Sequence, residues 1–355
     1  MNISIIGAGN GGQAFAAWCA SLGHHVSIYE LDINKLNPII DTKTIILEGL
    51  INLTSRVDLI TDDINKVVSS ADLIMVTTPA SAHAAVARSI SSFLHDGQTV
   101  VLNPGRTFGA LEFDIILKEN RPNLSINLAE AQTLVFACRL HGQGRVNIIG
   151  VKDKVLMAGR TETETKRVIE ILKPIFSCFA PAKNFIETGL LNVGAILHPS
   201  ITLFNAATIE RNQTFFFYRD MTPNIAGCIE QLDAERIAIA KAYDLDLMPL
   251  KDWLLYAYPN TKGETLIERM VNNPAYHDIL APGSIFVRQL TEDIPTGLVP
   301  MSELGKLAGI STPLMDGFIS LSSALLNINL KEKGRTLKRL GLNNLSKDEL
   351  EEKIS

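Results

Sequence analysis

A glycine-rich stretch near the start of the chain has the spacing of a phosphate-binding turn. Residues 7–12 read Gly-Ala-Gly-Asn-Gly-Gly, between the apolar run Ile3–Ile6 and the helical pattern Gln13–Leu22. Closely spaced glycines allow a tight turn and a close approach of the backbone to a pyrophosphate, which the free N–H groups of a helix N-terminus attract. The pattern predicts a dinucleotide-binding turn, with a ligand-free glycine turn as the alternative. The candidate contacts are Gly7, Gly9, Asn10, Gly11 and Gly12.

An acidic residue follows the second apolar run at the distance that such a turn requires. Glu30 comes directly after His25–Tyr29. A carboxylate at this place accepts hydrogen bonds from the adenosine ribose and repels a 2′-phosphate. The first basic residue after it is Lys35. The sequence therefore favours NAD(H) over NADP(H), although a solvent-facing glutamate at a strand end is the alternative.

Two later strand ends carry further candidates for cofactor contacts. Thr78 and Pro79 end one apolar run, and Asn103 begins an Asn-Pro-Gly stretch after another. The carboxyl ends of the strands line the ligand crevice of a doubly wound sheet. Asn-Pro-Gly is equally typical of a plain turn, so both interpretations stay open here.

The second half of the chain contains a histidine in an apolar helical pattern. His198 precedes Pro199, which removes a backbone donor from the helix, and Asn205 lies seven residues on, on the same helical face. Arg288 precedes Asp293 by five residues. Taken alone, these are a core histidine, a surface arginine and a helix-capping aspartate.

Two weaker candidates lie in a loop and in an aromatic run. Thr133 ends the stretch 130–133, which either contacts substrate or begins another element. Residues 215–218 read Phe-Phe-Phe-Tyr, and their rings either line a substrate pocket or pack in the core.

The elements that must position these residues alternate in the first half of the chain. Apolar strand runs separated by helical patterns predict a mostly parallel sheet, which makes the fold class α/β with an N-terminal doubly wound Rossmann-type domain. Residues 44–60 break the alternation and predict a small hairpin added to the sheet. The predicted strands are 3–6, 25–29, 71–78, 98–102 and 124–128, with further strands in 145–158 and a helix over 161–176.

Helical patterns dominate after Pro181, so the second domain is predicted to be mostly α-helical. We place the domains at 1–183, which binds the dinucleotide, and 184–355, which binds substrate. The tail 331–355 is polar and predicts short surface helices. The other predicted helices are 184–210, 224–243, 250–257, 302–307 and 314–326.

Composition excludes several classes of function. Apolar residues make up 46% of the chain, charged residues 20%, and the net charge is −5, which disfavours nucleic acid as a partner. The four cysteines lack metal-ligand or redox-pair spacing, so we expect no metal and a reducing, cytoplasmic environment. An apolar strand begins near Met1, which leaves no room for a leader. Polar residues and a proline interrupt residues 189–207, so we expect no membrane span.

The chain resembles the octopine/nopaline dehydrogenase family nearly from end to end. The glycine turn is shared by many dehydrogenases, but the His-Pro helix and the Glu-Asp-x-x-Thr-Gly-Leu-Val-Pro stretch are far more specific. The matching segments are Gly9–Gly12, Ala14–Ala17, Leu102–Gly105, Gly109–Phe113, His198–Pro199, Leu203, Asn205–Ala207, Asp233–Ala242, Thr296–Pro300 and Gly334–Leu337.

The resemblance implies an NADH-dependent reaction that joins an amino acid to a 2-oxo acid by reducing their imine. It implies that His198 and Asp293 form the catalytic pair and that Arg288 binds the carboxylate of the oxo acid. Asn205 and Thr133, named above from the sequence pattern, are further candidates for substrate contacts. The expected partners are small molecules, a 2-oxo acid such as pyruvate and an amino acid, with no nucleic acid and no membrane. A homodimer is left open.

Two alternatives remain at this point. One is a related two-domain reductase of the ketopantoate, glycerol 3-phosphate or 3-hydroxy acid type. Such reductases typically place a catalytic lysine on the helix that enters the second domain, and residues 184–211 contain no lysine. The other is a non-catalytic NAD(H) sensor, which needs no proton donor.

Overall fold

The computed structural model describes residues 1–258 and 260–354. These residues form two compact units, Met1–Thr188 together with Ile354, and Gly189–Lys353. The domain limits inferred from the sequence, 1–183 and 184–355, stay a prediction.

Twelve strands lie in the first unit, and most are short apolar runs that alternate with helices. In chain order they are β1 Asn2–Ile6, β2 His25–Tyr29, β3 Thr44–Gly49, β4 Leu53–Arg56, β5 Leu59–Thr61, β6 Leu73–Val76, β7 Thr99–Leu102, β8 Asn127–Ala131, β9 Phe136–Gly142, β10 Arg145–Val151, β11 Val155–Gly159 and β12 Phe179–Pro181.

Eight of these strands form a doubly wound sheet. Its order is β12-β11-β8-β7-β6-β1-β2-β5, and every neighbouring pair is parallel except β8 and β11. Within this sheet, six adjacent strands follow the order of a dinucleotide-binding sheet, namely β8, β7, β6, β1, β2 and β5. In such a sheet successive strands are added first on one side of β1 and then on the other, so the strand order reverses between β1 and β6. The predicted Rossmann-type fold is confirmed, and the carboxyl ends of β1 and β6 mark the ligand crevice.

The remaining four strands form a second sheet in the order β4-β3-β10-β9. The predicted hairpin is present as the antiparallel pair β3 and β4, with Gly49 at a positive φ of 90° beside its turn. Its predicted place in the main sheet is wrong, because β3 pairs with β10 instead. Phe15 joins this sheet to the core, since its ring lies 5.4 Å from that of Phe136 on β9.

Helices pack around the main sheet of the first unit. The N-terminus of the first helix lies directly after the glycine turn at the end of β1. The helices are α1 Asn10–Ser21, α2 Ile64–Val68, α3 His83–Ile90, α4 Gly109–Asn120, α5 Glu162–Leu172 and α6 Phe185–Leu190, which continues into the second unit.

The second unit is helical. Its central helix is α9, which packs against α7, α10, α11, α13 and α14. The helices are α7 Gly194–Phe204, α8 Ala206–Glu210, α9 Pro223–Ala242, α10 Leu250–Ala257, α11 Leu266–Val271, α12 Arg288–Thr291, α13 Val299–Leu307, α14 Pro313–Leu326, α15 Leu330–Lys333 and α16 Lys347–Lys353.

Two helical predictions differ from this arrangement. The single helix predicted over 184–210 is divided into α6, α7 and α8. The tail predicted to lie on the surface contributes buried leucines to the core, namely Leu337, Leu340, Leu342 and Leu350; its last residue, Ser355, lies outside the described residues. The apolar residues of this segment are too few to form a hydrophobic period that would show that most of its leucines face inward. Among the described residues, no helix combines the length and apolarity that a membrane crossing requires.

Candidate cofactor and catalytic sites

Glycine is required at two positions of the turn between β1 and α1. Gly7 has a φ of +102°, and a Cβ there would lie 2.9 Å from the Thr78 side chain. At Gly12 a Cβ would overlap the Gly7 carbonyl and lie 2.8 Å from the Thr77 hydroxyl. That hydroxyl donates to the Gly7 carbonyl oxygen at 2.7 Å. The start of α1 therefore packs closely against the ends of β1 and β6.

The same turn has room and unused polar groups for a dinucleotide. A Cβ at Gly9 would meet no atom within 4 Å, and no side chain caps the N-terminus of α1. The N–H groups of its first turn can therefore bind a pyrophosphate. The Thr78 hydroxyl and the Asn103 Oδ1 atom are buried and have no hydrogen-bond partner among the described residues. Buried polar atoms normally find partners, so these two fit a bound ligand.

Glu30 is tied to the glycine turn by its own carboxylate. One oxygen accepts a hydrogen bond from the Ala8 N–H at 3.0 Å, and the other accepts from the Asp32 N–H at 3.3 Å. The carboxylate thus lies beside the turn, as the prediction of a ribose contact requires. Its effect on the choice of dinucleotide stays a prediction.

The other candidates in this unit have different surroundings. The Asn10 side chain accepts a hydrogen bond from the Leu140 N–H of β9 at 3.2 Å, and a Cβ at Gly11 would touch the Leu134 side chain. Pro79 is exposed and precedes a 3₁₀ turn, and Thr133 lies half-buried between β8 and β9. Contacts of these four residues with a ligand stay predictions.

In the second unit, His198 and Asp293 form a hydrogen-bonded pair. The His198 Nδ1 atom lies 2.7 Å from the Asp293 Oδ2 atom, although 95 residues separate the two positions. The aspartate side chain is 1% exposed and the histidine side chain 16%. A buried carboxylate holds the proton on Nδ1 and stabilises the imidazolium, which leaves Nε2 free to exchange a proton.

Local irregularities in two helices bring this pair together. Residues Ile294–Leu298 form a π-helical turn that begins immediately after Asp293, and such turns are frequent at functional sites. A Cβ at Gly297 would overlap Ala195 and lie 3.1 Å from the Asn192 amide, so only glycine lets this turn approach the start of α7. Pro199 in α7 cannot donate to the Ala195 carbonyl.

The side chains of the two remaining candidates in this unit make no described hydrogen bond to the pair. Asn205 lies directly after the last residue of α7, and its side-chain amide donates a hydrogen bond to the Ile201 carbonyl at 2.9 Å. Arg288 begins α12, and its backbone carbonyl accepts a hydrogen bond from the Asp293 N–H at 3.0 Å. Its exposed guanidinium has no partner among the described residues and is therefore available to an anion.

Aromatic rings lie beside His198. The rings of Phe217 and Tyr218 are each 6.4 Å from the imidazole, and Tyr218 stacks on Tyr276 at 4.2 Å. Burial raises the pKa of the Tyr276 hydroxyl well above its usual value, so this ring is neutral. Of the predicted aromatic run, Phe217 and Tyr218 therefore lie next to the pair. Sequence reasoning missed Tyr276, which carries no pattern of its own.

The charged segment Asp233–Ala242 is structural. The Arg236 guanidinium is fully buried, donates to Asp233 at 2.6 Å, and also donates to the carbonyls of Leu190 and Met248. The Glu235 carboxylate accepts hydrogen bonds from the first N–H groups of α14. These residues hold α9 against its neighbours. In the described part of the chain, no group of acidic, histidine and cysteine side chains is arranged to hold a metal ion.

Comparison with known proteins agrees with both halves of this arrangement. The profile of the NAD-dependent glycerol-3-phosphate dehydrogenase N-terminus matches residues 2–104. The profile of the NAD/NADP octopine/nopaline dehydrogenase alpha-helical domain matches residues 181–326. The chain is similar to a solved structure of octopine dehydrogenase in complex with NADH and agmatine, with a TM-score of 0.82 and 21% identity over 98% of this chain and 97% of that one.

Similarity to curated relatives is closer still. The chain is 37% identical to an opine dehydrogenase of Arthrobacter sp. (strain 1C) over 97% of its own length and 96% of that protein. It is 28% identical to an opine dehydrogenase of Haliotis discus hannai over 81% of its length and 77% of that protein. This similarity sets aside the related reductases and the non-catalytic sensor. The chain belongs to the opine dehydrogenase family of NAD-dependent oxidoreductases.

Proposed function

We propose that this protein catalyses the NADH-dependent reductive condensation of an L-amino acid with a pyruvate-like 2-oxo acid, and the reverse oxidation. The products are an N-(carboxyalkyl)amino acid, NAD⁺ and water. The observation that carries the proposal is the 2.7 Å contact between His198 and the buried Asp293, because a dinucleotide-binding protein without turnover needs no such proton donor.

His198 supplies the proton in this proposal. The amine attacks the oxo carbon, water leaves, and an imine forms; bound NADH supplies the hydride that reduces it. The nitrogen gains basic character as the carbon receives the hydride. Protonated His198 donates from Nε2 while Asp293 stabilises the imidazolium through Nδ1.

Arg288 binds the oxo acid in this proposal. A guanidinium can hold a carboxylate with two parallel hydrogen bonds. The Arg288 side chain is exposed and unpaired among the described residues, and its backbone carbonyl is bonded to the Asp293 N–H. The backbone bond fixes the start of α12 relative to the catalytic pair.

The amino-acid substrate has a neutral, apolar side chain in this proposal, of the kind found in norvaline or methionine. The groups beside His198 are the rings of Phe217 and Tyr218, backed by the neutral Tyr276. Aromatic faces bury apolar side chains favourably, whereas a guanidinium substrate would need a paired carboxylate.

The reaction can be tested by following NADH oxidation with pyruvate, with amino acids, and with both together. Rapid oxidation is expected only with both, and the product should have the mass of the two substrates less one oxygen. Rapid reduction of pyruvate alone, unaffected by added amine, would contradict the proposal.

The role of Arg288 can be tested in the same assay. Arg288→Ala should raise the apparent KM for pyruvate at least about tenfold, the equivalent of roughly 1.4 kcal/mol, and should change the apparent KM for the amine less. Arg211→Ala, which removes another exposed arginine of the same unit, serves as the control.

Cofactor choice gives a second test. The wild-type protein should use NADH better than NADPH, because the Glu30 carboxylate beside the glycine turn repels a 2′-phosphate. Glu30→Gln should lower the ratio of kcat/KM with NADH to kcat/KM with NADPH by about tenfold, the equivalent of roughly 1.4 kcal/mol. Glu48→Gln, which removes an acidic side chain from the second sheet, should leave the ratio unchanged. A wild-type preference for NADPH would show that the role of Glu30 has been misassigned.

We also propose a cytoplasmic location. All four cysteines are free thiols in the structure, as a reducing environment favours. A homodimer stays a prediction, and sedimentation of the purified protein would test it.

A further inference from the structure

The amide of Gln13 joins the glycine turn to the second sheet. Gln13 is fully buried in the first turn of α1. Its Nε2 group donates to the Ala8 carbonyl at 2.8 Å and to the Gln143 Oε1 atom at 2.7 Å. Its Oε1 atom accepts a hydrogen bond from the Gly144 N–H at 2.9 Å. One side chain thus connects the glycine turn to the loop between β9 and β10.

Two further contacts reach the same turn from the same segment. The Leu140 N–H of β9 donates to the Asn10 side chain, and the Leu134 side chain lies against Gly11. Leu134 is itself held in place, because the Lys152 ammonium donates to its carbonyl at 2.7 Å. Residues 134–152 therefore support the turn at Ala8, Asn10, Gly11 and Gln13.

We propose that the segment 134–152 sets the geometry of the glycine turn for dinucleotide binding, and that Gln13 is the positioning residue through which it acts. A pyrophosphate contact depends on the direction of several N–H groups at once, so a small rotation of this turn weakens all of them together. Four of the six residues of this turn are glycines, which have no side chains with which to hold that direction. The buried amide of Gln13 supplies the missing restraint.

A second buried glutamine of the same unit, Gln98, has a purely structural role and serves as a matched comparison for Gln13. Gln98 is equally buried in the same unit and also uses its whole amide. It donates to the carbonyls of Val68 and Ala71 and accepts from the His95 N–H, each at 2.8 Å. These groups precede β6 and β7, at the opposite ends of the strands from the glycine turn.

The test compares Gln13→Met with Gln98→Met, which remove the same hydrogen-bonding groups with little change in volume. NADH binding is measured directly by fluorescence titration of the full-length protein, together with urea unfolding. Both variants should lose stability by similar amounts. Only Gln13→Met should raise the Kd for NADH, by about tenfold, which corresponds to about 1.4 kcal/mol. At saturating NADH its kcat should remain close to that of the wild type.

The proposal is overturned if folded Gln13→Met binds NADH with the wild-type Kd, or if Gln98→Met weakens binding equally. If Gln13→Met does not fold, Gln143→Ala decides the question, because it removes one hydrogen bond from the same amide. A rise of about threefold in its Kd supports the proposal, and an unchanged Kd overturns it. The proposal rests on NADH binding alone and needs no turnover, so it survives if the proposed substrates are wrong.

Discussion

Replacement of His198 by alanine is expected to slow reductive condensation by about 10²–10⁴-fold, the usual contribution of a positioned general acid. The imine nitrogen then takes its proton from water, which is neither oriented nor stabilised by Asp293. The Kd for NADH should change little, because the dinucleotide-binding turn belongs to the other unit. The measurements are steady-state turnover with both substrates saturating and fluorescence titration with NADH.

His198→Gln separates proton transfer from mere packing. Glutamine keeps an amide donor for Asp293 but has no titratable proton, so this variant should be as slow as the alanine variant. Near-normal turnover in either variant would return His198 to the role of a core residue.

The dinucleotide-binding half of the fold could be predicted because its determinants are local. The turn at 7–12, the strand before it and the helix after it occupy one short segment, and the alternation of apolar runs fixes the crossover topology. The second sheet could not be predicted in the same way. Strand β3 is complete only when β10 pairs with it, about a hundred residues later in the chain, and no local pattern encodes that choice.

The surroundings of individual site residues were less predictable than the fold. Asn10 was expected to face the cofactor, yet its side-chain oxygen accepts a hydrogen bond from Leu140, far away in sequence. The catalytic pair was proposed from the family resemblance, because a histidine in an apolar helix indicates nothing by itself. The structure supplies what sequence could not, a π-helical turn and a glycine contact that place Asp293 against His198.

Asp293→Asn is expected to reduce turnover nearly as far as loss of the histidine, by about 10²–10⁴-fold. The asparagine amide can donate to Nδ1 and so favour the tautomer with its proton on Nε2. That neutral imidazole is a poor acid for condensation and has no free Nε2 lone pair for the reverse oxidation. Turnover in both directions should therefore fall.

Asp233→Asn provides the matched control. Asp233 is also a buried aspartate of the second unit, but its carboxylate binds Arg236 and the Leu250 N–H rather than a histidine. Both substitutions should lower stability, because each removes a charge from a buried, hydrogen-bonded pair. Only Asp293→Asn should lower kcat per folded molecule, with folded protein counted by NADH titration. If the two variants lost turnover merely in proportion to their loss of folded protein, Asp293 would hold the π-helical turn in place and His198 would act without it.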